Sequence, residues 1–378
     1  MNNIIYLDNA ATTKPMAKAL ENAKIYNEQN FYNPSSLYHG GVQNKNAILS
    51  AKQTLSKIVG SDFDCIFTSC GTESDNTAIF SYSNRGNVVT TKGEHPAIYS
   101  PCNELLKKGF EVRFANLNKD GTVDVKHLLS LIDSKTTLVS VVNVNNETGG
   151  INDINYIAKE CKKINPNVVF HSDGVQAFCK IPQKLSSYID LYSASAHKIN
   201  GLKGVGALFV NKKLKTLKPY IIGGGQESGL RSGTENVFGI KVFEFVAKHH
   251  YLSISQNYSK SLEKIAKFKD LLDTDIFEFI SSNSASPYIL SLSAKGLKGE
   301  VLQHILEEKG VIIGTGSACS SKNKHSRILK EAGYDDSILD GAIRISISPS
   351  TTDEELNYTA IALNECARTL KRTMYNLK

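Results

Sequence analysis

The chain has no run of eighteen consecutive apolar residues, no block of five like charges, no CxxC pair and no HExxH. Each absence removes a class of function. Without the apolar run there is no candidate membrane-spanning helix. Without a basic block, the formal net charge of +7 is spread among acidic residues and makes no nucleic-acid footprint. The seven cysteines, at positions 65, 70, 102, 161, 179, 319 and 366, are an odd set with no close pair, which reads as reduced thiols and neither a disulfide framework nor a zinc site. The opening MNNIIYLDNAATTKP carries no basic region followed by a long apolar stretch, so export is not expected and a cytoplasmic location is. No internal repeat or low-complexity tract occurs.

What is present is enough for a large core. Hydrophobic residues make up 41% of 378 positions and charged residues 21%, the balance of a soluble globular chain long enough for two domains. Through its middle, short β-rich runs alternate with helical ones, the rhythm of parallel βαβ units. Strands are predicted at 65–69, 87–91, 111–115, 137–144, 168–173, 191–196 and 205–210. Several are nearly continuous apolar runs, as strands buried on both faces should be. A helical pattern over about 236–272 leads into a second region. That region has strands predicted near 287–294 and 342–348 and helices near 298–309 and 353–372. The fold class expected is α/β, with a mostly parallel sheet in a large domain and a smaller α+β domain.

Three segments carry candidate chemistry. In SASAHKINGLKG, Lys198 follows a predicted strand, where a lysine can reach into a cleft or simply be a solvated loop residue. In VVFHSDGVQAF, Asp173 stands at the C-terminal end of a buried strand, the edge at which open α/β sheets place ligands. A carboxylate there needs a cationic partner, such as a protonated pyridine nitrogen, or else caps the helix that follows. His171 beside it lacks the further ligands a metal would need. In FTSCGTESDNTAIF a strand runs through a small-residue turn into a helix, either a capped helix or a phosphate site built from free N–H groups and the helix dipole.

Taken together with YLDNAATT (6–13), FYNPSSLYHGG (31–41), GEHPAI (93–98), VNNETG (144–149), GGGQESGLRSGTEN (223–236), GSACSS (316–321) and AIRISIS (342–348), these segments give the chain a recognisable likeness. It resembles the cysteine desulfurases of the NifS and IscS type, within the class V aminotransferases of pyridoxal-5′-phosphate (PLP) fold type I. The resemblance implies a homodimeric PLP enzyme that converts L-cysteine to L-alanine. The sulfur goes to an enzyme cysteine as a persulfide, and then to an acceptor or scaffold protein for iron–sulfur cluster or thio-cofactor synthesis.

The resemblance also implies roles. Lys198 would form the internal aldimine, Asp173 pair with the pyridine nitrogen, Gln176 contact the ring hydroxyl and His95 stack on the ring. Gly71, Thr72, Ser195 and His197 would hold the phosphate, joined by Thr234 from the other subunit. Asn146 and Arg344 would bind the substrate carboxylate, and Cys319 would accept sulfur, because a thiolate is the competent nucleophile. It implies a large domain over 15–257 and a small one from 1–14 plus 258–378. Relatives on the same scaffold include selenocysteine and cystine lyases, and a non-catalytic sulfur scaffold is a further alternative. The chain departs from the family at Cys70, where Gly is common, at Gly71, where Ala is usual, and at 348–350, where Ser-Pro-Ser replaces Gly-Arg-Phe.

Overall fold

A computed structural model describes residues 4–83, 86–315 and 325–376. Seven strands form one sheet: β2 (Phe63–Thr68), β3 (Asn87–Thr91), β4 (Val112–Ala115), β5 (Thr136–Ser140), β6 (Val169–Asp173), β7 (Leu191–Ser195) and β8 (Gly206–Asn211). Their order is β2-β8-β7-β6-β5-β3-β4, and only β8 runs against the rest. β3, β6 and β7 are buried along their whole length, because helices cover both faces of the sheet. One core, with Leu55, Phe170, Phe209 and Phe243, fills the side of the helices His39–Val59 and Val237–Leu252. The other, with Ile79, Ile98 and Leu138, lies under the helices Gly71–Tyr82 and Pro96–Lys107.

A second sheet has the order β1-β11-β12-β10-β9, from β1 (Ile5–Leu7), β9 (Phe277–Phe279), β10 (Ile289–Ala294), β11 (Val311–Thr315) and β12 (Ala342–Ser346). Its own core includes Leu7, Phe277, Leu292, Ile313 and Leu363. β1 pairs in parallel with β11, more than 300 positions away in the chain, and Asn9 and Ala10 bond to Ser346 beyond it. The N-terminal segment then crosses to the large sheet, where Thr13 donates from its N–H and its Oγ1 to the His197 carbonyl at 2.9 and 2.8 Å.

Strand boundaries read from the sequence agree within two residues, except that the run 137–144 leaves the ladder after Ser140. The long helix expected over 236–272 is two, Val237–Leu252 and Ile254–Asp270, separated at Ser253. β1, β9 and β11 were not expected as strands. The first and second are three residues long, too short for a period to register.

Candidate active site

The C-terminal ends of the parallel strands face the second sheet, and between them lies a cavity of about 270 Å³. Gly71, Thr72, His95, Asn146, Asp173, Gln176, Ser195, His197, Lys198 and Arg344 all line it. Each arrives by a simple local device. Asp173 and Ser195 are the last residues of β6 and β7. Gly71 and Thr72 begin the helix after β2, and His95 caps the helix after β3. Lys198 closes a single helical turn directly after β7. Arg344 comes from β12 of the second sheet.

Lys198 Nζ donates to the carbonyls of Ala10 and Ala11 at 2.7 and 2.8 Å, so the N-terminal crossing segment forms one wall. Asp173, only 4% exposed, accepts the Val175 N–H at 2.9 Å. Burial pushes its pKa up to about 6, against the pull of that N–H and of Lys198. A buried carboxylate held this far from its ordinary value is short of a cation. Beside it, burial and then the Asp173 charge hold the Asp75 carboxyl well above the carboxylate range.

His95 Nδ1 accepts the Ala97 N–H at 3.1 Å, which leaves the proton of the neutral ring on Nε2. Burial, with Lys198, Arg327 and Arg344 nearby, lowers the His95 pKa to about 4. The ring is therefore uncharged at neutral pH and suited to lie against an aromatic face. His197, bonded to Thr12 Oγ1 at 3.1 Å, is likewise held down to about 4, by burial and then Lys198.

Four buried polar atoms of residues lining the cavity have no hydrogen-bond partner among the described residues: Ser195 Oγ, Asn146 Oδ1, Asp75 Oδ1 and Arg344 Nε. Leaving such a group unsatisfied costs about 1–3 kcal/mol, so four around one space mark a site preorganised for a polar ligand. At the Gly71 end, the first-turn N–H groups of the helix Gly71–Tyr82 have no acceptor within the helix and could receive an anion. A Cβ on Gly71 would stand 2.7 Å from Val175 Cγ2, so the bare glycine keeps this cradle open. At the other end, Arg344 Nη1 donates to the Asn146 carbonyl and Nη2 to Asp8 Oδ1, both at 2.8 Å. A Cβ on Gly314 would meet Asp8 Oδ1 at 2.6 Å and Arg344 Nη2 at 3.0 Å. An anion that takes the Arg344 fork must share it with Asp8.

The profile of the class-V aminotransferases matches residues 5–358. The chain belongs to that family. A cysteine desulfurase IscS of Dictyoglomus turgidum is 36% identical across 98% of this chain and 96% of its own length. A NifS-like protein superposes with a TM-score of 0.89 at 32% identity, over 97% of this chain and 99% of that one. The structure of SspA in complex with cysteine superposes with a TM-score of 0.80 at 27% identity, over 92% of this chain and 100% of that one. The α/β fold of this class-V member, with its mostly parallel seven-stranded sheet, is that of the NifS-like proteins.

Among the described residues of the expected site, Thr234 is not in the cavity: it is exposed, in the loop before the helix Val237–Leu252. Cys319 lies outside the described residues. Asp8, Val175, Asp75 and the Ala10 and Ala11 carbonyls line or brace the site without a role having been read for them. Asp8 sits within the quoted YLDNAATT, but nothing nearby in the chain marks it as the partner of Arg344, and backbone carbonyls leave no mark in a sequence.

Proposed function

We propose that this protein is a PLP-dependent cysteine desulfurase: L-cysteine and the Cys319 thiol yield L-alanine and a Cys319 persulfide, with the sulfur then passing to an acceptor protein. The observation that carries the reading is the cavity in which an amine, a cation-seeking carboxylate, an uncharged imidazole, an anion cradle and a buried guanidinium converge. These fit PLP part by part. Ser195, His197, Gly71 and Thr72 would hold the phosphate and Asp173 the ring nitrogen. Gln176 would face the ring oxygen, His95 the ring and Lys198 the aldehyde. When bound, PLP supplies an electron sink for the bonds at the substrate Cα and Cβ.

The chain's own groups do the rest. Arg344 and Asn146 hold the substrate carboxylate, which fixes the orientation of the Cβ–S bond. Lys198, as a free amine, would move protons at the substrate Cα and Cβ. The Cys319 thiolate forms an S–S bond to the substrate sulfur as the Cβ–S bond breaks; the electron pair of that bond stays with carbon and is protonated there to give alanine, so the sulfur is oxidised as the carbon is reduced and no outside oxidant is required. The division into a large domain over 15–257 and a small domain from both chain ends, homodimerisation with Thr234 reaching the partner's phosphate, and a cytoplasmic setting belong to the same reading. The six described cysteines are all free and five are buried, in keeping with a reducing compartment.

The test is borohydride reduction followed by peptide mapping, with alanine yield and persulfide content in a single turnover. The expected label is on Lys198. Cys319→Ser should stay coloured and perturb its spectrum with L-cysteine while making almost no alanine. A label on another lysine overturns the cofactor assignment. Wild-type turnover in Cys319→Ser moves the reading to a lyase, as would selenocysteine activity that survives the change.

A further inference from the structure

Behind Lys198 lies a second lysine with no assigned purpose. Lys180 ends the turn that follows β6, and its Nζ donates to Gln176 Oε1 at 3.1 Å. Gln176 Nε2 donates to the Ala10 carbonyl at 2.8 Å, the same carbonyl that accepts Lys198 Nζ at 2.7 Å. Lys180 and Lys198 also line one small cavity, of about 20 Å³, with Asn9, Asn200 and His250. The turn delivers Lys180 there through Cys179, whose φ of 57° is a left-handed conformation unfavourable to a residue with a β-carbon.

The connection fixes which way Gln176 faces. An ammonium can only donate and a carbonyl can only accept, so the amide must turn Oε1 to Lys180 and its NH₂ to Ala10. One amide hydrogen is then left over, on a residue that lines the main cavity. Among the described residues no ion pair joins Lys180 to a carboxylate. The titratable and charged groups around it are Lys198 and His197 after β7, Arg344 on β12, His250 on the helix Val237–Leu252, and Tyr288 before β10.

We propose that Lys180 is a positioning residue for the cofactor site, locking the Gln176 amide with its N–H toward the cavity and placing a second cation behind the Lys198 nitrogen. Both effects act in one direction. A neighbouring cation disfavours a proton on the Lys198 nitrogen. An N–H held toward the ring oxygen stabilises that oxygen's anion. The lock holds while Lys180 is an ammonium: burial, then Lys198 and Arg344, hold its pKa down to about 7, so both the lock and the second cation weaken as pH rises through that value. His250 and His197, both held down to about 4, add no charge there.

The inference rests on Lys198 being the residue that carries PLP, and the experiment separates the two. Wild type, Lys180→Met and Lys180→Arg are loaded with PLP, reduced with borohydride for mapping, and in parallel titrated with pH by visible absorbance. With the label on Lys198 in all three, Lys180→Met should titrate higher by at least about half a pH unit, roughly threefold in proton affinity, and Lys180→Arg, which keeps its charge at every pH, should titrate no higher than the wild type. Should Lys180→Met lose its fold by circular dichroism, Lys180→Gln carries the same expectation. An unshifted titration with the label on Lys198 overturns the role of Lys180 alone, as does an equal shift in Lys180→Arg. A label elsewhere overturns the assignment of Lys198, and this inference with it.

Discussion

At the scale of single residues, the site is held together by groups kept away from their preferred protonation. Asp173 is the sharpest case: an acid whose folded pKa, about 6, is above its ordinary value binds more protons folded than unfolded. Its contribution to stability therefore falls as pH rises from about 4 through 6. Without cofactor, Asp173→Asn should match the wild type near pH 4 and be more stable at pH 7.5 by on the order of 1–3 kcal/mol in denaturant unfolding, while losing PLP affinity. Comparing the two proteins cancels the opposite contributions of His95 and His171, which burial holds at about 4 and 3. A gap that shrinks with rising pH would contradict the placement of Asp173 as an unpaired carboxylate. Lys198 and Asp173 could be picked out of the sequence because their chemistry is in their side chains. Asp8, which takes half of the Arg344 fork, could not, because its partner is 336 positions away.

At the scale of elements, the start of the helix Gly71–Tyr82 and the turn after β6 are shaped to each other. Gly71 has an ordinary helical backbone, and what forbids a side chain there is Val175 Cγ2, 2.7 Å from where a Cβ would stand. Gly71→Ala should cost about 1–3 kcal/mol by overpacking and weaken PLP retention. Adding Val175→Ala should recover much of it, giving a coupling of about 1 kcal/mol in a thermodynamic cycle from denaturant unfolding. Additivity within about 0.5 kcal/mol would show that the two do not meet. The departure from the usual family residue at Gly71 was visible in the sequence. Its reason was not, because the two positions are joined only when β2, β7 and β6 lie in one sheet. Long buried strands such as β6 and β7 announced themselves by continuous apolar runs, whereas β1 and β9, three residues each, carry too little pattern to read.

At the scale of the whole molecule, Thr234 is exposed and apart from the cavity in one chain, which is where a residue serving a partner's site would be. If it does, subunits lacking Lys198 and subunits lacking Thr234 should complement each other. Mixed and refolded in equal amounts, Lys198→Ala and Thr234→Ala chains should recover up to about a quarter of wild-type activity, since half the dimers would be mixed and each would hold one intact site. No recovery, with mixed dimers demonstrated by mass, would place Thr234 in its own subunit's chemistry or in none. The amino-acid sequence by itself determined the α/β class, the strands of the large sheet and the types of side chain at the site, because apolar periodicity and functional groups are local properties of a chain. Only the tertiary structure decided that residues 5–7 form a strand paired with β11 and that Ala10 and Ala11 offer carbonyls to Lys198. It alone showed that Asp8 shares Arg344 and that Lys180 reaches Gln176 from behind. Each of these depends on the meeting of segments that are far apart in the chain, or on backbone atoms common to every residue, and neither leaves a trace in residue order.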